Sequence, residues 1–182
     1  MHLLMILFWL LGEGTSGINA VPTPAEYRLY EMINAYRAEL CLPPVPLSAD
    51  LCIVARTHAR DLAENLPYNE RCNLHSWSSN GPWTACCYEK DHEQAPCMWD
   101  KPAELTGYKG KGYEIAYWND FYYENPDDIV VDALKAWKKS SGHLTVIINK
   151  GMWKELEWNA MGVSVYRGYV LVWFGTEAVG SS

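Results

Sequence analysis

Histidine is the side chain best suited to proton transfer or metal binding near neutral pH, and this sequence contains five. Two of them stand where the local sequence can direct a side chain into a cleft. His75 lies in the segment CNLHSW, just after Cys72, where a crosslink would fix the backbone. His143 follows Gly142, and a glycine in the left-handed conformation would end the preceding helix and turn the next side chain away from it. Their spacing along the chain does not establish that the two histidines meet, so a shared site is a hypothesis at this point.

The other histidines and the candidate nucleophiles point to structural roles. His58 lies on the apolar face of a predicted helix, which is typical of a buried or partly exposed structural histidine. His92 lies in the acidic segment EKDHEQ and is predicted to be solvated. A serine nucleophile such as Ser76 is not expected, because the sequence has no Gly-x-Ser-x-Gly elbow.

The cysteines indicate an exported, disulfide-bonded chain. There are six of them: Cys41, Cys52, Cys72, Cys86, Cys87 and Cys97. An even number in an oxidising compartment predicts up to three disulfides, which six cysteines can form in 15 ways. Cys41 and Cys52 flank a proline-rich turn and would staple two helices. The adjacent Cys86 and Cys87 should take different partners, with Cys72 and Cys97 as the nearest candidates. A zinc site made of cysteines is the alternative, but the sequence has no Cys-x-x-Cys pair.

Three predicted helices must position these side chains. Apolar residues at helical spacing predict helices over 24–40 and about 48–66, and a proline ends each of them. Residues 127–139 form the third predicted helix, with acidic residues at its start and lysines at its end. Trp137 belongs to the apolar face of this helix, so we expect it to be buried against a sheet.

Three predicted strands supply the sheet. The segment 112–118 has the composition of a strand, and 161–166 and 169–174 are strands joined by a two-residue Arg-Gly hairpin turn. The stretch 68–111 is rich in Gly, Pro, Trp and Cys and is predicted to form short strands and long loops. Together with the helices, this pattern indicates an α+β chain.

An apolar run near the N-terminus has the length of a signal-peptide core. Leu3–Leu11 is too short to span a membrane, and small residues follow it. Cleavage after Ala20 is predicted, which makes 1–20 a signal peptide and 21–182 a single domain. A buried N-terminal helix is the alternative, because no Lys or Arg precedes the run. No second long apolar stretch follows, so no membrane span is expected.

Length, composition and charge limit the function classes. The chain has 182 residues, of which 49% are hydrophobic and 13% aromatic, as suits one globular domain with a sizeable core. The formal net charge is −7, and no run of Lys and Arg is present. Binding to nucleic acid is therefore not expected.

Six segments, taken in chain order, resemble the motifs of one known family. They are INAYRAEL, LSADLCIVARTHARDLAEN, CNLHSW, GYEIAYW, ALKAWKKSSGHLTVIIN and AMGVSVYRGYVLVWFG. This ordered set resembles the CAP superfamily, or SCP domain, which includes cysteine-rich secretory proteins, antigen 5 and plant PR-1 proteins. The resemblance covers nearly all of the predicted mature chain. It implies a CAP-type α-β-α sandwich, with a central antiparallel sheet between helices and disulfide staples.

The resemblance also implies a site in a cleft. The family's cleft usually holds two histidines and two acidic residues and can bind a divalent metal. His75 and His143 match the two histidines, and Glu114 matches the glutamate of the family's GEN motif, one residue late. Such a shift turns the side chain to the opposite face of a regular strand unless a bulge compensates. Ser140 stands where many eukaryotic members have the second acid. The implied metal ligands are therefore His75 and His143, with Glu114 and Ser140 beside them, and the metal is weakly bound Zn²⁺ or another divalent ion.

Three functions compete at this stage. The first, which we favour, is a secreted, non-catalytic binding or interaction module with an extracellular protein or a lipid as its unidentified partner. The second is a zinc-dependent hydrolase with Glu114 as general base. The third is a sterol or lipid carrier whose groove is bordered by a cluster of aromatic residues. That cluster comprises Tyr113, Tyr117, Trp118, Phe121, Tyr122 and Tyr123.

Overall fold

The computed structural model describes residues 21–121, 125 and 127–178. The predicted signal peptide, Tyr122 and Tyr123 lie outside these described residues. The helices within them are α1 (Pro24–Glu39), α2 (Ala49–Asn65), α3 (Ala95–Trp99), α4 (Lys101–Leu105), α5 (Asp128–Lys139) and α6 (Ser141–Ile147). The strands are β1 (Gly112–Trp118), β2 (Ala160–Tyr166) and β3 (Tyr169–Gly175). None of the described helices is long and apolar enough to cross a membrane.

The three strands form one antiparallel sheet in the order β1-β3-β2. β2 and β3 are joined by the predicted hairpin, in which Arg167 and Gly168 both have positive φ, 45° and 85°. Positive φ at both central residues is the geometry that matches the twist of the paired strands. Every residue of β3 is buried, although alternate side chains point to opposite faces. The sheet is therefore covered on both sides, which confirms the predicted sandwich.

The two covering layers are made of different helices. α2 packs on β2 and β3 from one side, while α1 and α5 pack on the sheet from the other. Val170, Val172 and Phe174 of β3 belong to the core cluster shared with α1 and α5. Leu171 and Trp173 belong to the clusters shared with α2. The sheet thus separates two cores, and a side chain's position in its strand decides which helix it meets.

Helices α1 and α2 begin where the sequence predicts because a side chain caps each of them. Thr23 accepts a hydrogen bond from the backbone of Glu26, and the Glu26 carboxylate accepts one from the backbone of Thr23, which completes a capping box. Ser48 caps α2 through the backbone N–H of Leu51. These local bonds confirm the two helix starts.

The prediction of short strands within 68–111 is wrong. The described structure forms a single antiparallel bridge there, between Trp77 and Cys86, and places the helices α3 and α4 in the second half of the segment. Each of these helices has a proline in its first turn, where the missing N–H costs nothing. Proline therefore starts helices here, whereas the sequence pattern predicts loops.

The cysteines pair only in part. Cys72 and Cys87 form a disulfide, whereas the other four cysteines are unpaired in this structure. The predicted staple between Cys41 and Cys52 is not formed. Cys41 is exposed after the end of α1, while Cys52 is fully buried in the core cluster that faces α1 and α5. Proximity in sequence across a turn did not bring these two side chains together.

A glycine sets the distance between α2 and β2, which leads to a first prediction. A Cβ at Gly162 would overlap the backbone of Leu51 and Cys52, which cannot move aside as a flexible side chain can. Gly162→Ala should therefore lower the free energy of unfolding by about 1–3 kcal/mol, as overpacking does. Chemical denaturation measures this change.

Gly142 offers the matched control for that substitution. It lies within α6, and a Cβ there would have no heavy atom within 4 Å. Gly142→Ala should be neutral or stabilising by up to about 1 kcal/mol, because alanine is the better helix former. Equal stability of the two variants would contradict the close approach of α2 to β2.

Candidate functional site

A cavity of about 460 Å³ opens beside the edge strand β1. Its lining comes from the loop before α3, from α3 itself, from β1, from the start of α6 and from the 3-10 turn Gly151–Trp153. The polar and aromatic side chains among its lining residues include Asn73, His75, Tyr88, His92, Trp99, Tyr113, Glu114, Ser140, His143 and Trp153. Residues from distant parts of the sequence thus meet in one cleft.

Glu114 is the buried carboxylate at the base of this cleft. Its Oε1 is 2.6 Å from Nδ1 of His58, and its Oε2 is 2.8 Å from Nδ1 of His75. The side chain has no exposed surface. In the register of the sheet Glu114 pairs with Trp173, whose side chain belongs to the core on the α2 side. Glu114 therefore faces α2, which supplies His58.

His58 fixes the position of the Glu114 carboxylate by a hydrogen bond. It is fully buried, its Nε2 is 2.9 Å from the carbonyl oxygen of Ser76, and its ring stacks on Trp77 at a centroid distance of 4.2 Å. Because a carbonyl oxygen only accepts hydrogen bonds, we assign a hydrogen to Nε2. Nδ1 then donates to Glu114 when the ring is protonated, so both ring nitrogens of His58 are used within the protein.

Burial and charge act in opposite directions on Glu114. Burial by itself would raise the pKa of the carboxyl, but the imidazoles of His58 and His75 attract the charged form and donate hydrogen bonds to it. The pKa of Glu114 is consequently held below its ordinary value. The group is ionised at neutral pH and orients both rings.

The structure brings His75 and His143 to the same cleft. Nδ1 of His75 is hydrogen-bonded to the Glu114 carboxylate, and Nδ1 of His143 is hydrogen-bonded to the hydroxyl of Ser140. Both distances are 2.8 Å. Burial lowers the pKa of His143, and the nearby charge of His75 lowers it further. Each ring therefore keeps Nε2 as the nitrogen left for a ligand.

The predicted role of Gly142 in placing His143 is wrong. α5 ends at Lys139, and Ser140 breaks the helix in an extended conformation with φ −93° and ψ 114°. Gly142 has no positive φ and lies within the next helix, α6. The cleft residue His143 is thus presented from the first turn of α6, while the Ser140 hydroxyl bonds to its ring.

Two other histidines contribute more than the sequence suggested. His58 is buried, as predicted, but its contact with Glu114 was not foreseen, because the two residues are 56 positions apart. His92 is exposed, as predicted, yet it lines the cleft and its Nδ1 is 2.9 Å from the hydroxyl of Tyr88. No local sequence signal marks either contact.

Nitrogen donors of the kind that divalent metals bind are present in the cleft. His75 and His143 offer one imidazole nitrogen each, and the carboxylate behind His75 is the usual partner of a metal-binding histidine. Each carboxylate oxygen of Glu114 is hydrogen-bonded to a histidine ring. Glu114 therefore orients His75 as a metal ligand but has no free oxygen with which to bind the metal itself. Within the described residues, no group of three His, Cys, Asp or Glu side chains is placed to hold a metal. At most two protein ligands are on offer, and the metal-binding roles of His75 and His143 stay predictions.

Comparison with known proteins assigns the family. The sequence model of the CAP family, described as the cysteine-rich secretory protein family, matches residues 30–172. The chain belongs to this family. The matched range includes His58, His75, Glu114 and His143, so the whole cleft lies within the CAP domain. No curated protein gives a significant match.

Solved structures confirm the CAP fold. An extracellular protein with an SCP domain from Bacillus anthracis has a TM-score of 0.59 at 17% identity, over 86% of this chain and 45% of that one. An outer surface protein from Borrelia burgdorferi has a TM-score of 0.57 at 17% identity, over 88% and 98%. A cysteine-rich secretory protein from Staphylococcus aureus has a TM-score of 0.52 at 18% identity, over 84% and 38%. The chain therefore spans less than half the length of two of these proteins. At such identities the likeness shows the fold alone.

Proposed function

We propose that this CAP protein is a secreted, extracellular binding module that does not catalyse a reaction. Its ligand enters the cleft beside β1. There His75 and His143 bind a divalent metal weakly, and Zn²⁺ is the metal that we favour. The observation that carries the proposal is the pairing of Glu114 with Nδ1 of His75, which leaves Nε2 for the cleft. Membership of the CAP family and an aromatic lining of the cleft support it.

Secretion is part of the same proposal. The apolar run at residues 3–11 has the length of a signal-peptide core, and cleavage after Ala20 would release the CAP domain. A disulfide between Cys72 and Cys87 suits an oxidising compartment. These two features come from separate parts of the chain and agree.

The arrangement of Glu114 argues against the zinc-dependent hydrolase. A general base needs an oxygen within hydrogen-bond reach of the water that it activates. Each oxygen of Glu114 is instead occupied by a histidine ring, and the side chain has no exposed surface. Ser140, at the position of the family's second acid, brings no charge.

Among the described residues, the aromatic stretch does not lie along a single surface. Tyr113 lines the cleft, and Tyr117 packs on the core cluster shared with α1 and α5. Trp118 and Phe121 are exposed, at 45% and 75% of their surface. These four side chains have different surroundings. We therefore consider the function of a sterol or lipid carrier less well supported than that of a binding module.

Zinc titration tests the site. By calorimetry at pH 7.5, the parent should bind zinc with modest affinity, and His75→Ala and His143→Ala should each weaken binding at least tenfold. His92→Ala is the matched control, because His92 lines the same cleft but points Nδ1 at Tyr88. Ligation needs a neutral imidazole, so binding should also weaken as the pH falls through the histidine range, near about 6.5.

Two outcomes would overturn the proposal. If the His75 and His143 variants bind zinc like the parent, the shared metal site does not exist. If the parent hydrolyses peptide or ester substrates with zinc, and loses that activity in His75, His143 and Glu114 variants alike, the hydrolase is the correct function. We expect no turnover above buffer.

A further inference from the structure

Two unpaired thiols lie in one core cluster behind the cleft wall. Cys86 is buried in the core cluster that α2 shares with Trp77, and Cys97 lies half-buried on α3 against that cluster. Burial raises the pKa of the Cys86 thiol, and the nearby Cys97 thiol raises it further. Sγ of Cys97 is also 3.8 Å from the carbonyl oxygen of Ala85, the residue next to Cys86.

The backbone around Cys86 fixes the direction of its side chain. Cys86 and Trp77 exchange two backbone hydrogen bonds, of 2.8 and 3.1 Å. The chain beyond is extended, since Cys86 and Tyr88 are buried and Cys87 between them is less so. In an extended chain neighbouring side chains point to opposite sides. Cys87 points to Cys72, with which it forms the disulfide, and Cys86 points to the other side, into the cluster that contains Ala95 and Met98 of α3.

The other thiol is held with similar firmness. α3 is anchored on both sides of Cys97 by Ala95 and Met98, each only 3% exposed. The backbone of Cys97 cannot move away without lifting these two residues out of the core, and only rotation about χ1 can redirect its sulfur. Both thiols are thus brought together by packing that does not depend on a bond between them.

From this geometry we infer that Cys86 and Cys97 form a second disulfide, in tandem with the Cys72–Cys87 bridge. This inference does not rest on the proposed function of the cleft. It concerns the same part of the molecule, however, because Ala95, Met98 and Trp99 of α3 line the cleft. The second bridge fastens that wall to the loop that carries His75.

The bond forms by thiol–disulfide exchange with an oxidant of the disulfide class, such as a disulfide oxidoreductase or oxidised glutathione. The Cys97 thiolate attacks one sulfur of the oxidant and expels the other as a thiolate. Cys86 then loses its proton to water, attacks Sγ of Cys97 and expels the second sulfur. Two thiols of the protein are oxidised, and the oxidant's disulfide is reduced to two thiols. Burial raises the pKa of the Cys86 thiol, which slows the second step.

Peptide mapping under non-reducing conditions tests the pairing. The mature chain, produced in an oxidising compartment, is alkylated in denaturant and digested with trypsin. Cleavage after Arg71, Lys90 and Lys109 gives the peptides 72–90 and 91–109, since Pro102 protects the bond after Lys101. The first peptide contains Cys72, Cys86 and Cys87, and the second contains Cys97. We expect the two peptides to run as one disulfide-linked species that reductant separates.

Two variants identify which cysteine makes the link. Cys86→Ala should release peptide 91–109 with an alkylated Cys97. The double variant Cys72→Ala/Cys87→Ala should keep the peptides joined, because Cys86 is then the sole cysteine left in the first peptide. A free, alkylated peptide 91–109 from the parent would overturn the inference. The inference would also be overturned if the parent keeps the peptides joined but the double variant releases peptide 91–109. In that case Cys97 would pair with Cys72 or Cys87.

Thermal unfolding supplies a second readout. Closing the short loop between Cys86 and Cys97 restricts the unfolded chain, so Cys97→Ala should lower the melting midpoint by roughly 5–10 °C under oxidising conditions. Cys41→Ala is the matched control and should leave the midpoint unchanged, because Cys41 is exposed and unpaired. Identical midpoints for the two variants would show that no bond joins Cys97 to Cys86.

Discussion

Replacing Trp137 with Ala should lower the free energy of unfolding by about 3–5 kcal/mol, as for other large truncations in a core. Trp137 is 1% exposed and packs on the core between α5 and the sheet, which confirms the prediction that it faces the sheet. Removing the indole leaves a cavity under β1 that the surrounding helices cannot fill.

The indole also protects the edge of the sheet. Its Nε1–H donates a 3.1 Å hydrogen bond to the carbonyl oxygen of Ala116 in β1, which is an edge strand. Trp137→Phe keeps most of the apolar volume but loses this bond, so it should cost less than Trp137→Ala, about 1–3 kcal/mol.

Urea denaturation of the three proteins measures both changes. A midpoint of Trp137→Ala indistinguishable from that of the parent would contradict the burial of the indole in the core. It would make Trp137 a surface residue available to a ligand instead.

The helices and the hairpin were predictable because local interactions determine them. Thr23 and Ser48 cap their helices through residues no more than three positions away. The Arg167-Gly168 turn needs only two residues with positive φ. In each case the sequence segment contains the groups that satisfy its backbone, so the pattern alone was sufficient.

The centre of the site was not predictable in this way. The offset of Glu114 from the family motif predicts a side chain on the opposite face of a regular strand, but its direction is set by pairing with Trp173 in β3. Its partner His58 comes from α2, and neither ring contact of Glu114 is local in the sequence. Long-range packing determines such contacts, and one sequence does not display it.

The cysteines show the same limit. Their number predicted oxidation, but their partners depend on which side of the chain each thiol faces. Cys86 and Cys87 are adjacent in sequence and point in opposite directions because the backbone is extended beside Trp77. The position of Cys97 depends on the helix α3, in a segment for which the sequence pattern predicts loops.

Replacing Glu114 with Ala should have an effect as large as the loss of Trp137. Glu114 lies between two imidazoles, and His58 is fully buried with no route to water. Without the carboxylate, Nδ1 of His58 is left unpaired in the core. Removing one partner of such a buried pair costs about 3–5 kcal/mol.

Glu114→Gln is the conservative counterpart. Its amide can donate to Nδ1 of a neutral His58 and accept from Nδ1 of His75, so every polar atom keeps a partner. We expect a loss of about 1–2 kcal/mol, which reflects weaker bonds without a charge. Glu155→Ala is the surface control, because that carboxylate is 81% exposed and should change stability very little. A cost for Glu114→Ala below about 1 kcal/mol would contradict the pairing of buried groups.

The pH dependence of stability distinguishes the charge of Glu114 from its packing. The pKa of this carboxyl is lower in the folded protein than in the unfolded chain, where it is about 4.3. As the pH falls, Glu114 is therefore protonated in the unfolded chain before it is protonated in the folded protein. The stabilisation by its charge is fully present above the pKa of the unfolded chain and is lost as the pH falls through the pKa of the folded protein. Glu114→Gln carries no titrating group at this position. The difference in unfolding free energy between parent and Glu114→Gln should consequently shrink as the pH falls below about 4.3. A difference that stays constant through acid pH would show that Glu114 stabilises the cleft by shape and not by its charge.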